Sequence, residues 1–156
     1  MDPAGFSDDR KYRYVLRREI GSSARRVVFI MLNPSSADED RDDPTVRRCV
    51  GFARRWGFGA LEVVNLFALV STDPNGLQAA DDPVGPGNDA AIRSALSSAD
   101  RVVLAWGNNG LRRRDRADAV IAMARSAGTP CCLGMTKEGA PRHPLRLSYK
   151  AALTPF

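Results

Sequence analysis

The sequence has few cysteines, few lysines and no long apolar run. Cys49, Cys131 and Cys132 make no disulfide framework and no C-x-x-C pair, and three thiolates fall short of a four-thiolate zinc or iron–sulfur set. They read as small buried hydrophobes. No stretch approaches the ~18 apolar residues of a membrane span, and the longest, Val27–Leu32, is strand-sized. The opening residues Met1-Asp2-Pro3-Ala4-Gly5 lack the cationic start and apolar stretch of a secretory signal, so a cytoplasmic location away from membranes is expected. Repeats, low-complexity tracts and linkers are missing too. The 156 residues therefore read as one domain, 1–156, with 1–10 a loose lead-in. Because Lys11, Lys137 and Lys150 are the only lysines, the net charge of +5 is carried by arginine. That balance suits a polyanionic partner, although an Arg-, Ala- and Asp-rich composition also follows from genome base composition alone.

What is present alternates between strand and helix signals. Tyr12–Ile20 reads as an edge strand with Arg13, Arg17 and Glu19 among the charges on one face. Val27–Leu32 reads as a strand buried on both faces, the mark of a parallel sheet. Asp43-Pro44 supplies a cap and a first-turn proline for a helix through Trp56 that stops at Gly57. A strand at Leu61–Leu66, an irregular stretch Ser71–Gly87, a helix from about Asp89 to Ser98 and a strand at Val102–Trp106 follow. The turn Gly107-Asn108-Asn109-Gly110 leads into a helix ending near Ser126, and Pro130–Met135 reads as the fourth core strand. The expected fold is α/β: a three-layer α/β/α sandwich on a four-stranded parallel sheet with an N-terminal edge strand.

In such sheets the ligand crevice lies beyond the carboxyl ends of the strands, where the strand order reverses. The four strand exits here are Asn33-Pro34-Ser35-Ser36, Asn65-Leu66-Phe67, Trp106-Gly107-Asn108-Asn109, and Thr136 through His143-Pro144. They hold amides, turn residues and aromatics, which the strand interiors almost lack. A site around Asn33 is therefore expected on fold logic alone.

The same four exits, in order, resemble the uracil-DNA glycosylase superfamily. Met31-Leu32-Asn33-Pro34-Ser35 is similar to the Gly-Ile-Asn-Pro-Gly motif of its mismatch-specific thymine/uracil branch. Val63-Val64-Asn65-Leu66 is similar to the Leu-Leu-Leu-Asn strand end, Val102–Gly107 to the Val-Phe-Leu-Leu-Trp-Gly strand, and Arg142–Ser148 to the Ala-His-Pro-Ser-Pro-Leu-Ser loop. The chain also resembles a family of short proteins of unassigned function that share the Met-Leu-Asn-Pro-Ser and Asn-Leu-Phe-Ala-Leu segments. The resemblance implies a monofunctional DNA glycosylase, without metal or organic cofactor, acting as a monomer on single-stranded or lesion-containing duplex DNA. Asn33 and His143 would be catalytic. Breaking an N-glycosidic bond passes through an oxocarbenium-like state while the base departs as an anion. Asn33 would orient the attacking water, and His143 would stabilise the charge developing on the base. Asn65 would hold the base edge within a pocket of Leu32, Pro34, Ser35, Phe67 and Trp106. Leu145 stands where the family inserts an apolar wedge, and Arg142, Pro144, Arg146, Ser148, Asn108, Arg112 and Arg113 would meet DNA.

Other readings of the same residues stay open. Asn33-Pro34 also serves as a strand-exit turn, Asn65 as a partner for loop amides, and His143 as a surface residue. Phe67, Phe52 and Trp106 suit either base stacking or the core. The acidic run Asp38–Asp43 reads as a mobile solvated loop, a screen around a modified or cationic base, or part of a cation site. An N-ribohydrolase or transferase for free nucleosides or nucleotides, and a non-catalytic nucleic-acid-binding module, are the alternative functions.

Overall fold

The computed structural model describes residues 5–156, which build a six-stranded mixed sheet. β1 (Leu16–Glu19) runs antiparallel to β3 (Ala60–Asn65) at one edge. Next to β3 come β2 (Arg26–Met31), β4 (Arg101–Leu104) and β5 (Cys131–Cys132), all parallel, and then β6 (Thr154–Pro155), antiparallel at the far edge. The central strand is apolar on both sides because each side meets a packed layer. Val27, Phe29 and Met31 enter one cluster with Val46, Cys49 and Phe52 of α1 (Pro44–Arg55). Val28 and Ile30 enter a second cluster with Leu77 of α2 (Pro74–Ala79), Ile92 of α3 (Asn88–Ser98) and Val120 of α4 (Arg114–Ala127).

Handedness explains that division. The crossover from β2 to β3 runs towards one edge through α1, whereas those from β3 to β4 and from β4 to β5 run the other way through α3 and α4. A reversal of direction with constant right-handed crossovers moves the helix to the opposite face. The reversal lies between β2 and β4, so their carboxyl ends diverge and leave a crevice.

Sequence and structure differ at the margins. The edge strand starts at Leu16 because Tyr12 and Arg13 pair beyond β3, with Leu69 and with the Ala68 carbonyl. Residues 5–10 of the expected loose lead-in are ordered into a turn, with Ser7 N–H on the Tyr12 carbonyl and Tyr14 N–H on that of Gly5; Met1–Ala4 lie outside the described residues. The irregular stretch Ser71–Gly87 contains α2, capped by Asp73 ahead of Pro74 just as Asp43 caps α1 ahead of Pro44. β5 ends at Cys132, not Met135, because the chain turns at Gly134 (φ 92°) into a hairpin closed by Arg142 N–H on the Gly134 carbonyl. β6 had no periodic signal, being two residues with a proline. A 3-10 turn, Asn108–Arg113, precedes α4, so the basic run is split, with Arg112 and Arg113 in that turn and Arg114 and Arg116 in the first turn of the helix. No helix among the described residues is long and apolar enough to cross a membrane.

Phe52 is fully buried, with Trp56 at 5.3 Å and Tyr149 at 5.0 Å between ring centroids, and it is a core residue rather than a stacking platform. Phe52→Ala is expected to cost about 3–5 kcal/mol. In guanidinium denaturation the midpoint should fall while the slope stays unchanged.

Candidate functional site

A cavity of about 370 Å³ opens at the carboxyl ends of β2, β3 and β4 and reaches under the first turns of α1. Leu32, Asn33 and Ser35 come from the β2 exit, Asn65 from the end of β3, Trp106 from the β4 exit, and His143 and Leu145 from the loop after the hairpin. Arg13, Asp43, Thr45, Val46 and Cys49 complete much of the wall. A larger groove of about 880 Å³ lies between α3 and α4, but its lining is mostly alanine and serine, and Asp89 on its rim already meets Arg116 at 2.8 Å.

The loop bearing His143 is fixed from two sides. Gly107, at φ 73°, donates its N–H to the Pro141 carbonyl at 2.9 Å, and a Cβ there would stand 3.2 Å from the His143 Cβ. Only glycine tolerates both that backbone and that approach. On the other side Tyr149 lies against Gly51 of α1, where a Cβ would meet the phenol at 2.3 Å. Asn108 bridges the strand exit to the hairpin, accepting from Thr136 Oγ1 (2.6 Å) and donating to Glu138 (3.1 Å), so its amide is engaged within the protein.

Within the cavity the polar groups differ in how they are held. Asn33 gives both amide hydrogens to backbone carbonyls, of Pro34 at 2.9 Å and Ser71 at 2.8 Å, which ties two strand exits together and leaves Oδ1 as its acceptor. His143 Nδ1 accepts from Leu145 N–H at 3.1 Å, so a neutral ring carries its proton on Nε2 and is a donor there. Burial lowers the His143 pKa below the ordinary 6.5, opposed by the negative charge of Asp43, which favours that neutral form. Asn65 is 1% exposed, and both Nδ2 and Oδ1 are buried without a partner among the described residues. Cys49 is walled in; burial raises its thiol far above the ordinary range and keeps it protonated.

Seven of the expected residues thus share one cavity: Leu32, Asn33, Ser35, Asn65, Trp106, His143 and Leu145. Pro34 and Pro144 are buried beside it without lining it. Phe67 does not belong to it: the ring is 1% exposed in the second core cluster, because Leu66 and Phe67 continue as backbone partners of Met31 and Leu32, and Arg113 covers it at 5.4 Å. Arg142, Arg146 and Ser148 are exposed around Leu145, itself 36% exposed, whereas Arg112 lies apart, near Asn75. The acidic loop is pinned, not free: Asp42 pairs with Arg18 at 2.7 Å, Glu39 with Arg10 at 3.1 Å, and Asp43 Oδ1 caps α1 through Val46 N–H. Arg13 is the residue that sequence reasoning misplaced. Read as part of a charged outer face, it is 3% exposed and turned inwards; the signal was its position between Tyr12 and Tyr14, ahead of the alternating part of the strand.

Residues 13–145 match the sequence profile of a family described as protein of unknown function (DUF1643), a span that includes every residue lining the cavity. The chain belongs to that family. Comparison with curated proteins and with solved structures gave no match. Membership in DUF1643 thus covers the whole site without naming its chemistry.

The depressed His143 pKa gives a stability prediction with a definite sign. Between the folded pKa and the unfolded value near 6.5 the unfolded chain binds the extra proton, so stability from this group is full above pH ~6.5 and declines as pH falls towards the folded pKa. NMR titration of the imidazole should find its midpoint below 6.5, and Asp43→Asn should lower it further by removing the charge that opposes burial.

Proposed function

We propose that this chain is a monofunctional DNA glycosylase that hydrolyses the N-glycosidic bond of uracil or another damaged or modified base. The observation that carries this reading is Asn65. A buried amide with neither end satisfied costs about 1–3 kcal/mol per group, and a ligand offering a donor and an acceptor side by side removes that cost. The edge of a nucleobase is such a ligand. Around it stand the two functions that heterolysis needs. Asn33 Oδ1 accepts a hydrogen bond from the attacking water, whose oxygen forms the new bond to C1′. The C1′–N electron pair leaves on the base, where His143 Nε2–H meets the developing anion, and the proton released by water reaches the base through solvent. A neutral imidazole suits that role, since it donates without depending on an acidic medium.

The proposal extends to fold kinship with the uracil-DNA glycosylase superfamily, supported by the four motif-bearing strand exits, all of which line the cavity, with Gly107 of the third seating the loop of the fourth. DNA as partner is supported by Leu145, an exposed apolar side chain at the cavity mouth between exposed Arg142 and Arg146. The neighbouring acidic loop is no obstacle, because Arg10 and Arg18 neutralise part of it.

Oligonucleotides carrying uracil, hypoxanthine, mismatched thymine or modified bases, single-stranded and duplex, should yield abasic sites with at least one base. Asn33→Ala and His143→Ala should each lower that rate by about 10²–10³-fold. Leu145→Ala should slow duplex substrates more than single-stranded ones, because only the duplex requires the vacated stack to be filled. A folded preparation that produces no abasic site across the panel would sink the proposal, and turnover of free nucleosides in its place would assign the site to an N-ribohydrolase.

A further inference from the structure

An unheld amide cannot by itself tell a uracil-type edge from a cytosine-type edge. In one orientation it gives Nδ2–H to a ring carbonyl and takes a ring N–H on Oδ1. Turned over, it gives Nδ2–H to a bare ring nitrogen and takes an exocyclic amine. Asn65 is free to present either sense, because neither Nδ2 nor Oδ1 has a protein partner among the described residues. Discrimination then requires a neighbour that cannot exchange donor for acceptor.

Arg13 is such a neighbour. The antiparallel register of β1, with Leu16 opposite Val63, brings Arg13 to the carboxyl end of β3, where its backbone N–H meets the Ala68 carbonyl at 2.9 Å. Its side chain is 3% exposed and lines the same cavity as Asn65. Nη1 is held by the Ala37 carbonyl at 3.1 Å, whereas Nε–H is buried with no partner among the described residues. A guanidinium has donors and no acceptor. Burial lowers its pKa to about 10, opposed by Asp43, and it stays protonated at neutral pH. Asp43 is the other fully charged residue of the lining, and its Oδ1 is occupied by Val46 N–H.

We propose that Arg13 is the specificity-determining residue of this cavity: its unpartnered Nε–H selects a base that presents a carbonyl oxygen beside the edge met by Asn65, and rejects one that presents an amino group there. The inference rests on the base-binding part of the preceding proposal. An amino-bearing base sets its own donor against the guanidinium donor, whereas an imide-type base satisfies Arg13 and Asn65 together. The fixed positive charge also favours the base as a departing anion, so discrimination is greater in excision than in binding.

Calorimetric titration with 1-methyluracil and 1-methylcytosine tests this without requiring catalysis, because the methyl group replaces the sugar and the two rings differ only along the edge in question. The wild-type protein should bind 1-methyluracil at least about tenfold more tightly. In Arg13→Gln, whose amide can itself turn over, and in Arg13→Met, which has no donor, the ratio should fall to within about threefold of unity, with folding checked by circular dichroism. Equal affinities in the wild type, or a preference for 1-methylcytosine, overturn the assignment whatever the variants do. So does a full preference surviving in either folded variant. If neither ring binds, the assignment falls together with the base-binding reading. If 1-methyluracil is preferred through Arg13 but no base is ever excised, only the hydrolytic proposal is lost.

Discussion

β2 is paired along both edges, with β3 on one side and β4 on the other, and its side chains are buried on both faces from Val27 to Met31. A strand in that position has no room for a polar side chain along its length without leaving it unsatisfied. Polarity is displaced to its carboxyl end, where the chain leaves the sheet at Asn33. The neighbouring strands diverge at the same place because the crossovers reverse there. One packing constraint therefore fixes both where a crevice opens and which residues can face it.

The elements were legible in the sequence wherever a single local signal decided them. Asp43-Pro44 opens α1, and the apolar run Val27–Met31 could hardly be anything but a core strand. The same logic located the cavity, since strand exits are where a doubly covered sheet can hold Asn33, Asn65 and Trp106. What escaped the reading depended on contacts distant in sequence. Phe67 follows Asn65 so closely that it suggested a shared pocket, yet continued pairing with the β2 exit turns it into the core. Arg13 looked like one of several surface charges because alternation was extended backwards through residues that do not pair with β3. β5 stopped early at a glycine whose positive φ depends on the hairpin it opens.

Buried polarity elsewhere in the molecule is mostly matched. Glu62 meets Arg17 at 2.9 Å and Arg26 at 3.4 Å, and Arg116 meets Asp89 at 2.8 Å and the Leu66 carbonyl at 2.8 Å. Of the six buried side-chain polar atoms without a hydrogen bond among the described residues, Asp89 Oδ1 is ion-paired with Arg116, and three of the other five belong to Arg13 and Asn65, which share the cavity. Asn88 and Arg116 each have other atoms hydrogen-bonded, whereas Asn65 has both of its amide atoms unsatisfied. A chain able to pair Glu62 with two arginines is not short of cations or of ways to neutralise a core, so the concentration of unmet groups in one cavity is a property of that cavity.

The charges of the cavity also have an arrangement suited to heterolysis. Arg13 and the neutral His143 offer donors to a group gaining negative charge, while Asp43 and the free carbonyl of Asn33 offer acceptors to one gaining positive character or releasing a proton. An N-glycosidic bond separates charge in that sense, with the base becoming the anion and the sugar the oxocarbenium ion. Asp43 both lines the cavity and caps α1, and the oxygen that makes the cap anchors its carboxylate beside the cavity. Because the cap fixes the carboxylate and the carboxylate raises the proton affinity of His143 against burial, the first turn of α1 is tied to the protonation state of a loop a hundred residues further along the chain. The helix start and the His143 loop are therefore electrostatically coupled across the cavity.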